Sequence, residues 1–203
     1  MKKVCIINSE SGNQKSVYNA LNDLGCNPIV SNHISDIESC SHLILPGVGT
    51  YNNLMNKVNS LNLIEILMKE ISIKEKPFLG ICVGMQILST FGFEFNKRAG
   101  LDLIKGNVNV LKTKKLRLPH IGWNNLQLKK KSDIFDGLDE DAYFYFVHSY
   151  EFEVEDKSNI ISTTNYEYDF VSAVQKNNIF GVQFHPEKSQ KSGLMLLKNF
   201  TNL

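Results

Sequence analysis

Short apolar segments alternate with helical segments through residues 4–90, and this alternation constrains the fold more than any other feature of the chain. The apolar segment 4–7 is followed by a helical pattern over 16–24, which stops at Gly25, a residue typical of helix C-termini. The later members of the series are apolar segments at 29–30, 42–45 and 78–81 and an amphipathic helix over 62–74. Strands joined by helices pair in parallel, so this half predicts a parallel sheet flanked by helices.

The second half of the sequence has a different character. Its strand-like segments are 108–111, 142–150, 152–154, 170–175 and 179–184, with a final helix over 190–200. Strands that follow one another without helices predict an antiparallel extension of the sheet. The 203 residues are 42% hydrophobic, which is enough for one well-buried core, and no repeat or linker divides them. We therefore predict one α/β domain over residues 1–203.

Composition argues against several classes of function. The formal net charge is +1, which gives no strong field for nucleic acid or an anionic membrane, and no apolar run is long enough for a membrane span. We expect a cytoplasmic protein. The four cysteines form no C-x-x-C pair, so neither a zinc site nor a disulfide framework is predicted, and nothing in the sequence calls for a metal or a cofactor.

The segment 80–86 (GICVGMQ) places Cys82 between two glycines, after an apolar strand and before a helical pattern. Small residues two positions on either side of a nucleophile let the backbone turn sharply and present the side chain at the crest of the turn. We expect Cys82 to be exposed and reactive, with the helix N-terminus favouring its thiolate. The backbone N–H of Val83 is expected to point to where an oxyanion would form.

A cysteine nucleophile needs partners, and the segment 183–189 (QFHPEKS) supplies them. Residues two apart in an extended segment project to the same side, and Pro186 favours an extended conformation at His185. His185 and Glu187 can therefore act together. An imidazole deprotonates the thiol while the carboxylate fixes its tautomer and stabilises its cation, which predicts acyl-transfer chemistry.

Together these motifs resemble those of the class I glutamine amidotransferases. The similarity spans nearly the whole chain, and its motifs are 45–49 (LPGVG), 80–86, 119–124 (PHIGWN), 145–150 (YFVHSY) and 183–200. The resemblance implies a flavodoxin-like α/β fold and hydrolysis of glutamine to glutamate and ammonia. Cys82 would form a γ-glutamyl thioester, His185 would protonate the departing ammonia and then activate water, and Glu187 would orient the imidazole.

The resemblance also implies which residues surround the substrate. The backbone at Val48 and Gly49 would swing to complete an oxyanion hole with Val83, and Gln86, Ser149 and Tyr150 would help to hold glutamine. Glycine permits the peptide flip that such a loop needs. A tight turn without further function is an equally good interpretation of this loop taken alone.

A partner is implied because ammonia is mostly protonated in neutral water, and family members pass it through a protected route to a synthase subunit. The later motifs are most similar to glutaminase subunits that form a heterodimer with a (β/α)₈ barrel cyclase of histidine biosynthesis. The segment 119–124 is the candidate docking element, with His120, Trp123 and Asn124 as interface residues. A core position is the alternative for Trp123.

Two segments depart from the family pattern. Residues 8–13 (NSESGN) stand where the family usually has DYGxGN, and residues 100–106 (GLDLIKG) differ from the usual GLGxxPG. Both departures fit a paralogue that supplies ammonia to a sugar-amidinating synthetase of surface-glycan biosynthesis. A catalytically silent scaffold for a partner subunit and a cysteine peptidase on a similar sheet are the alternatives from other classes.

Overall fold

The structure is a computed structural model that describes residues 2–10 and 13–203, and this part of the chain contains fourteen strands and six α-helices. The strands are Lys3–Ile7 (β1), Asn27–Ser31 (β2), His42–Gly47 (β3), Phe78–Cys82 (β4), Phe91–Gly92 (β5), Arg98–Ala99 (β6), Gly106–Val110 (β7), His120–Asn125 (β8), Gln127–Leu128 (β9), Tyr143–His148 (β10), Tyr150–Val154 (β11), Ile160–Tyr166 (β12), Tyr168–Lys176 (β13) and Ile179–Val182 (β14). The helices are Gln14–Asp23 (α1), Ile34–Ser39 (α2), Tyr51–Ser60 (α3), Leu63–Met68 (α4), Val83–Gln86 (α5) and Gln190–Thr201 (α6).

The main sheet has eight strands in the order β2-β1-β3-β4-β14-β13-β12-β9. The first five strands of that order pair in parallel, and the remaining three continue the sheet in antiparallel fashion. This confirms the predicted fold class, a mostly parallel sheet with an antiparallel extension. One detail was not predicted: β14, near the end of the chain, lies in the middle of the sheet and is parallel to β4.

The middle of the chain builds two smaller sheets instead of extending the main one. Strands β8 and β10 form a two-stranded antiparallel sheet, and β11, β7, β5 and β6 form a four-stranded sheet. The predicted segment 142–150 is therefore two strands that belong to different sheets and meet at Ser149. A break at Ser149 changes the direction in which the following side chains project, and periodicity alone does not show such a break.

The amphipathic helix predicted over 62–74 is also more complex than expected. It is α-helical only through α4, and then continues as a π-helical turn over Lys69–Ile73. The carboxylate of Glu70 in that turn is completely buried and forms ion pairs with Lys74 (2.8 Å) and Lys76 (2.5 Å). A buried carboxylate needs such partners, because an unpaired charge away from water is costly.

The parallel pairing brings the ends of three neighbouring strands to one edge of the sheet. Strand β3 ends at Gly47, β4 ends at Cys82, and β14 ends just before the segment 183–189. This is the edge at which ligands bind in open α/β sheets. Within residues 2–10 and 13–203, every helix is too short or too polar to span a membrane.

Candidate active site

The backbone at Cys82 adopts a conformation that is rare for a residue with a side chain. Its φ is +55° and its ψ is −112°, at the junction of β4 and α5. The turn is tight enough that a Cβ on Gly80 would lie 2.4 Å from the Gly84 carbonyl oxygen, and a Cβ on Gly84 would lie 1.9 Å from that of Leu45. Strained backbone of this kind persists where the surrounding structure enforces it. The two glycines therefore have the steric function predicted for them.

Two expectations for Cys82 need correction. The side chain is 3% exposed to solvent, so it is buried and faces an internal cavity instead of open solvent. The helix that follows, α5, is a single turn of four residues. Its contribution to the field at the sulfur is correspondingly small, because the helix dipole is a sum over aligned peptides. The packed backbone thus positions the nucleophile.

His185 and Glu187 meet as predicted. The Nδ1 atom of His185 lies 2.9 Å from Oε1 of Glu187, and both side chains are almost completely buried. Burial lowers the pKa of His185, but the neighbouring Cys82 sulfur and the Glu187 carboxylate outweigh this effect and raise the pKa to about 10. The imidazole is thus held as a cation at neutral pH. Its Nε2 atom has no hydrogen-bond partner among the described residues, and it is the atom left for a reacting group.

Backbone contacts fix the segment that carries these two residues. Residues Pro186–Lys188 form a 3₁₀ turn at the start of α6. The Ser189 hydroxyl donates to the His185 carbonyl oxygen (2.6 Å) and accepts from the backbone N–H of Tyr145 (3.0 Å). The His185 backbone N–H donates to the Tyr145 carbonyl oxygen (2.9 Å). Strand β10 therefore holds the catalytic segment from one side.

Asn13 is a residue of the site that sequence reasoning did not assign. Its Nδ2 lies 3.4 Å from Oε1 of Glu187, the oxygen that also accepts from His185. Its Oδ1 accepts from the Ser16 hydroxyl at 2.7 Å. The retained Gly-Asn of the altered opening segment was the available signal. The rest of that segment can be followed only in part, since Ser11 and Gly12 lie outside the described residues.

A cavity of about 270 Å³ opens beside the triad. All the residues predicted to bind substrate or oxyanion line it, and it also includes residues that were not predicted. Its lining is Val48, Gly49, Cys82, Val83, Gln86, Glu94, Pro119, Val147, His148, Ser149, Tyr150 and His185. The six residues that the resemblance assigns to substrate or oxyanion thus line one cavity together.

Glu94 is the acidic group of this cavity, and no sequence motif marks it. Its side chain is buried, and Oε2 accepts a hydrogen bond from the backbone N–H of Tyr51 at 2.7 Å. Burial raises the pKa of this carboxyl, and the Tyr51 hydrogen bond opposes the shift. A carboxylate on the wall of a cavity is suited to a cationic group of a ligand.

Two of the three predicted interface residues face inward. His120 is 3% exposed, and its ring stacks on Tyr166 with centroids 4.1 Å apart. Asn124 is half-buried and donates to the Asn165 carbonyl oxygen at 2.9 Å. Trp123 is 47% exposed. Side chains alternate between the faces of a strand, so positions 120 and 124 of β8 point away from the face that presents Trp123.

His120 instead belongs to a buried polar chain behind the pocket. Its Nδ1 lies 3.1 Å from Nε2 of His148, whose Nδ1 lies 2.8 Å from the Tyr150 carbonyl oxygen. A carbonyl only accepts, so His148 donates to Tyr150, and His120 must donate to His148. Burial lowers the pKa values of His120 and His148 to about 4 and about 3, and both rings are neutral at pH 7.

A family model described as glutamine amidotransferase class-I matches residues 5–202 of the chain. Solved structures of the same fold include PurLQS from Thermotoga maritima, with a TM-score of 0.76 at 17% identity, covering 99% of this chain and 98% of that one. At that identity the likeness shows the fold alone. With the family match over nearly all of its length, the chain belongs to the class-I glutamine amidotransferase family.

Curated relatives narrow the similarity further. The chain is 41% identical to the imidazole glycerol phosphate synthase subunit HisH of Pelagibacter ubique, over 98% of this chain and 99% of that protein. It is 42% identical to the HisH subunit of Pyrococcus furiosus over the full length of both, and 42% identical to that of Aquifex aeolicus over 98% and 95%. Within the family, the chain groups with these HisH subunits.

Proposed function

We propose that the chain is the glutaminase subunit of an imidazole glycerol phosphate synthase and that Cys82, His185 and Glu187 carry out the hydrolysis. The observation that carries this proposal is the His185–Glu187 pair, 2.9 Å apart, beside the Cys82 sulfur in a cavity with an acidic wall. A scaffold without activity would need none of these buried polar groups. Buried polar groups without a function are costly to keep.

In the first half-reaction the Cys82 sulfur attacks the side-chain amide carbon of glutamine. The C–N bond then breaks, and Nε2 of His185 donates the proton that the departing ammonia takes. A γ-glutamyl thioester remains on Sγ. In the second half-reaction the neutral His185 accepts a proton from water, the resulting hydroxide attacks the thioester, and the C–S bond breaks to release glutamate. Glu187 holds the imidazole in one tautomer throughout.

The cavity supplies contacts that suit glutamine. The Glu94 carboxylate is placed to pair with the α-ammonium group. Gln86 acts only as an acceptor, because its Nε2 already donates to the Tyr150 carbonyl oxygen (3.2 Å) and to Oε1 of Gln183 (3.0 Å). The backbone N–H groups of Val83 and of the loop at Val48 and Gly49 would form the oxyanion hole. Gly49 already has φ +91°, a conformation that glycine adopts freely.

Ammonia then passes to a synthase partner. The names of the relatives describe one subunit of a synthase, and we propose that the partner is a (β/α)₈ barrel cyclase, joined to this chain as a cytoplasmic heterodimer. The outer face of β8 and β10 presents the exposed apolar side chains Ile121, Trp123 and Tyr143 close to the pocket residues of the same strands. An exposed apolar patch of this kind is typical of an interface, and Trp123 is its expected anchor.

The test is Cys82→Ala in the assembled complex. Glutamine-dependent synthesis should fall by about 10⁴-fold or more, whereas synthesis driven by added ammonium salt should be unchanged, because only the supply of ammonia needs the thiol. Cys26→Ala is the matched control and should leave both rates as they are. Equal glutamine-dependent rates for Cys82→Ala and the parent would contradict the proposal.

The pathway has its own test, which is genetic. Deleting the gene should make the cell dependent on histidine, and high ammonium should relieve that dependence. Growth without histidine, in a cell with no second glutaminase gene to replace it, would instead favour the paralogue that serves sugar amidination.

A further inference from the structure

The buried side chain of Gln183 contacts the sulfur of Cys82. Gln183 follows β14 and is completely buried. Its Nε2 lies 3.7 Å from the sulfur of Cys82, and its Oε1 lies 3.0 Å from Nε2 of Gln86. The mechanism described above assigns no function to this amide, although it is one of the few polar groups that touch the reacting atom.

The hydrogen-bond network fixes which end of the amide faces the sulfur. The Tyr150 carbonyl oxygen can only accept, so Gln86 must present its nitrogen there, at 3.2 Å. The same nitrogen contacts Gln183, and a nitrogen that only donates requires an acceptor. Gln183 therefore presents its oxygen to Gln86 and its N–H to Cys82.

We propose that Gln183 is a catalytic residue whose side-chain N–H donates to the Cys82 sulfur and stabilises it as a thiolate. A hydrogen bond to the charged form of a group favours that form. The donor is held rigidly, because Gln86 fixes the far end of the amide and the Gln183 side chain is completely buried. The hydrogen bond to sulfur does not depend on the proposed glutaminase function. Only its effect on turnover rests on that function.

The donor acts at two points of the reaction. Before acylation it raises the fraction of Cys82 present as thiolate. In deacylation the C–S bond breaks and its electron pair returns to the sulfur, and the same N–H then stabilises the leaving thiolate. The neutral amide complements His185, which must lose and regain its proton in each cycle, whereas Gln183 keeps its protons throughout.

The experiment is alkylation of Cys82 by iodoacetamide on the purified full-length chain, followed by peptide mass spectrometry from pH 5 to pH 10. Gln183→Met removes the donor and keeps the volume. At pH values where only a small fraction of the sulfur is thiolate, that fraction should fall about 10-fold, and the remaining thiolate should be about 3-fold more nucleophilic, so alkylation should be about 3-fold slower. At the alkaline plateau, where all sulfur is thiolate, the variant should react about 3-fold faster.

This reversal with pH separates the proposal from a packing defect, which would not speed alkylation at one pH and slow it at another. Ser172→Ala is the matched control: it removes a buried hydroxyl, 2.9 Å from that of Ser162, on the strand next to β14. It should leave the profile unchanged. If Gln183→Met does not fold, Gln183→Leu replaces it, because leucine also lacks a donor for sulfur and adds no charge beside it.

A folded Gln183→Met or Gln183→Leu protein with the alkylation profile of the parent would overturn the proposal. The readout does not involve glutamine, so the two hypotheses fail separately. A shifted profile in a chain that never hydrolyses glutamine would refute the glutaminase function and leave the Gln183 contact standing. Normal glutamine hydrolysis by the parent, with an unshifted alkylation profile in the variant, would refute the Gln183 proposal and leave the glutaminase function standing.

Discussion

The two buried histidine sites at the pocket, His185 and the pair His120–His148, hold opposite charge states. His185 is a cation at neutral pH, since contacts with Cys82 and Glu187 outweigh burial and raise its pKa to about 10. His120 and His148 are neutral, since burial lowers their pKa values to about 4 and about 3. All three side chains are nearly completely buried. Burial alone therefore does not decide the charge.

The difference lies in what each ring contacts. His185 has a carboxylate 2.9 Å away, whereas the partners of His120 and His148 are each other, an amide and a backbone carbonyl. A charged acceptor stabilises the cation, and neutral acceptors do so much less. The His185 site therefore holds a proton at neutral pH, as the proposed mechanism requires. The other keeps a fixed set of neutral hydrogen bonds behind the pocket, at the Tyr150 carbonyl.

The largest effect is expected from removing Glu187, the carboxylate that the His185 site has and the other site lacks. Glu187→Gln should make His185 resemble His148: the pKa of His185 should fall, and kcat for glutamine hydrolysis should drop by about 10³-fold with little change in KM. Steady-state kinetics in the assembled complex measures both quantities.

Glu70→Gln is the control for that variant, because Glu70 is a completely buried carboxylate outside the pocket. It should lower the free energy of unfolding and leave kcat within about 2-fold of the parent. A Glu187→Gln enzyme with parental kcat would mean that the carboxylate does not act through His185.

A smaller effect is expected on stability in acid. The folded-state pKa values of His120 and His148 lie below the unfolded value of about 6.5. Their contribution to the free energy of unfolding is therefore complete above pH 6.5 and is lost as the pH falls toward 4. Each of these rings should remove about 1.4 kcal/mol of unfolding free energy per pH unit over that interval. Urea unfolding of the parent and of His120→Gln at several pH values gives the free energy of unfolding as a function of pH. The slope of that plot should be shallower in the variant by this amount. Parallel slopes would contradict a neutral buried His120.

The smallest effect is expected at Asn13, which directly precedes α1 and contacts the Glu187 carboxylate of the His185 site. Asn13→Ala removes a 3.4 Å contact to Glu187 Oε1 and leaves the stronger His185 contact in place. We expect kcat to fall about 3- to 10-fold without a change in KM, because one hydrogen bond to a charged group is lost. Ser16→Ala, which only frees Oδ1 of Asn13, should be close to the parent. A larger loss in Ser16→Ala than in Asn13→Ala would point to a function of α1 itself.

Much of the fold followed from local sequence patterns. The strands of the parallel half and the final helix were predicted close to their observed bounds, because apolar periodicity and turn residues act locally. The position of β14 in the centre of the sheet and the division of residues 142–150 between two sheets were not predicted. Both depend on pairing between strands that are far apart in sequence, and periodicity within a segment carries no information on that pairing.

The candidate site also contains residues that a local pattern marks and residues that only the tertiary fold brings together. Cys82 was found because the two flanking glycines are a local steric requirement of its turn, and His185 with Glu187 because a short motif carries both. Glu94 reaches the cavity only through the tertiary fold, and no local pattern marks it. Gln183 opens the motif 183–189, but its contact with Cys82 also arises only from the tertiary fold. His120 was placed at an interface because its motif was treated as one unit, although neighbouring residues of a strand face opposite ways.

The central position of β14 also determines when the main sheet can be completed during translation. Of the strands described, β14 is the last that the ribosome makes, yet it fills the gap between β4 and β13. Until it emerges, β4 has one unpaired edge, and such an edge is a place where chains associate wrongly. The segment that closes this gap is the one that brings His185 and Glu187 to Cys82. A nascent chain therefore carries its thiol for most of translation without a base beside it, and it cannot release ammonia before its sheet is complete.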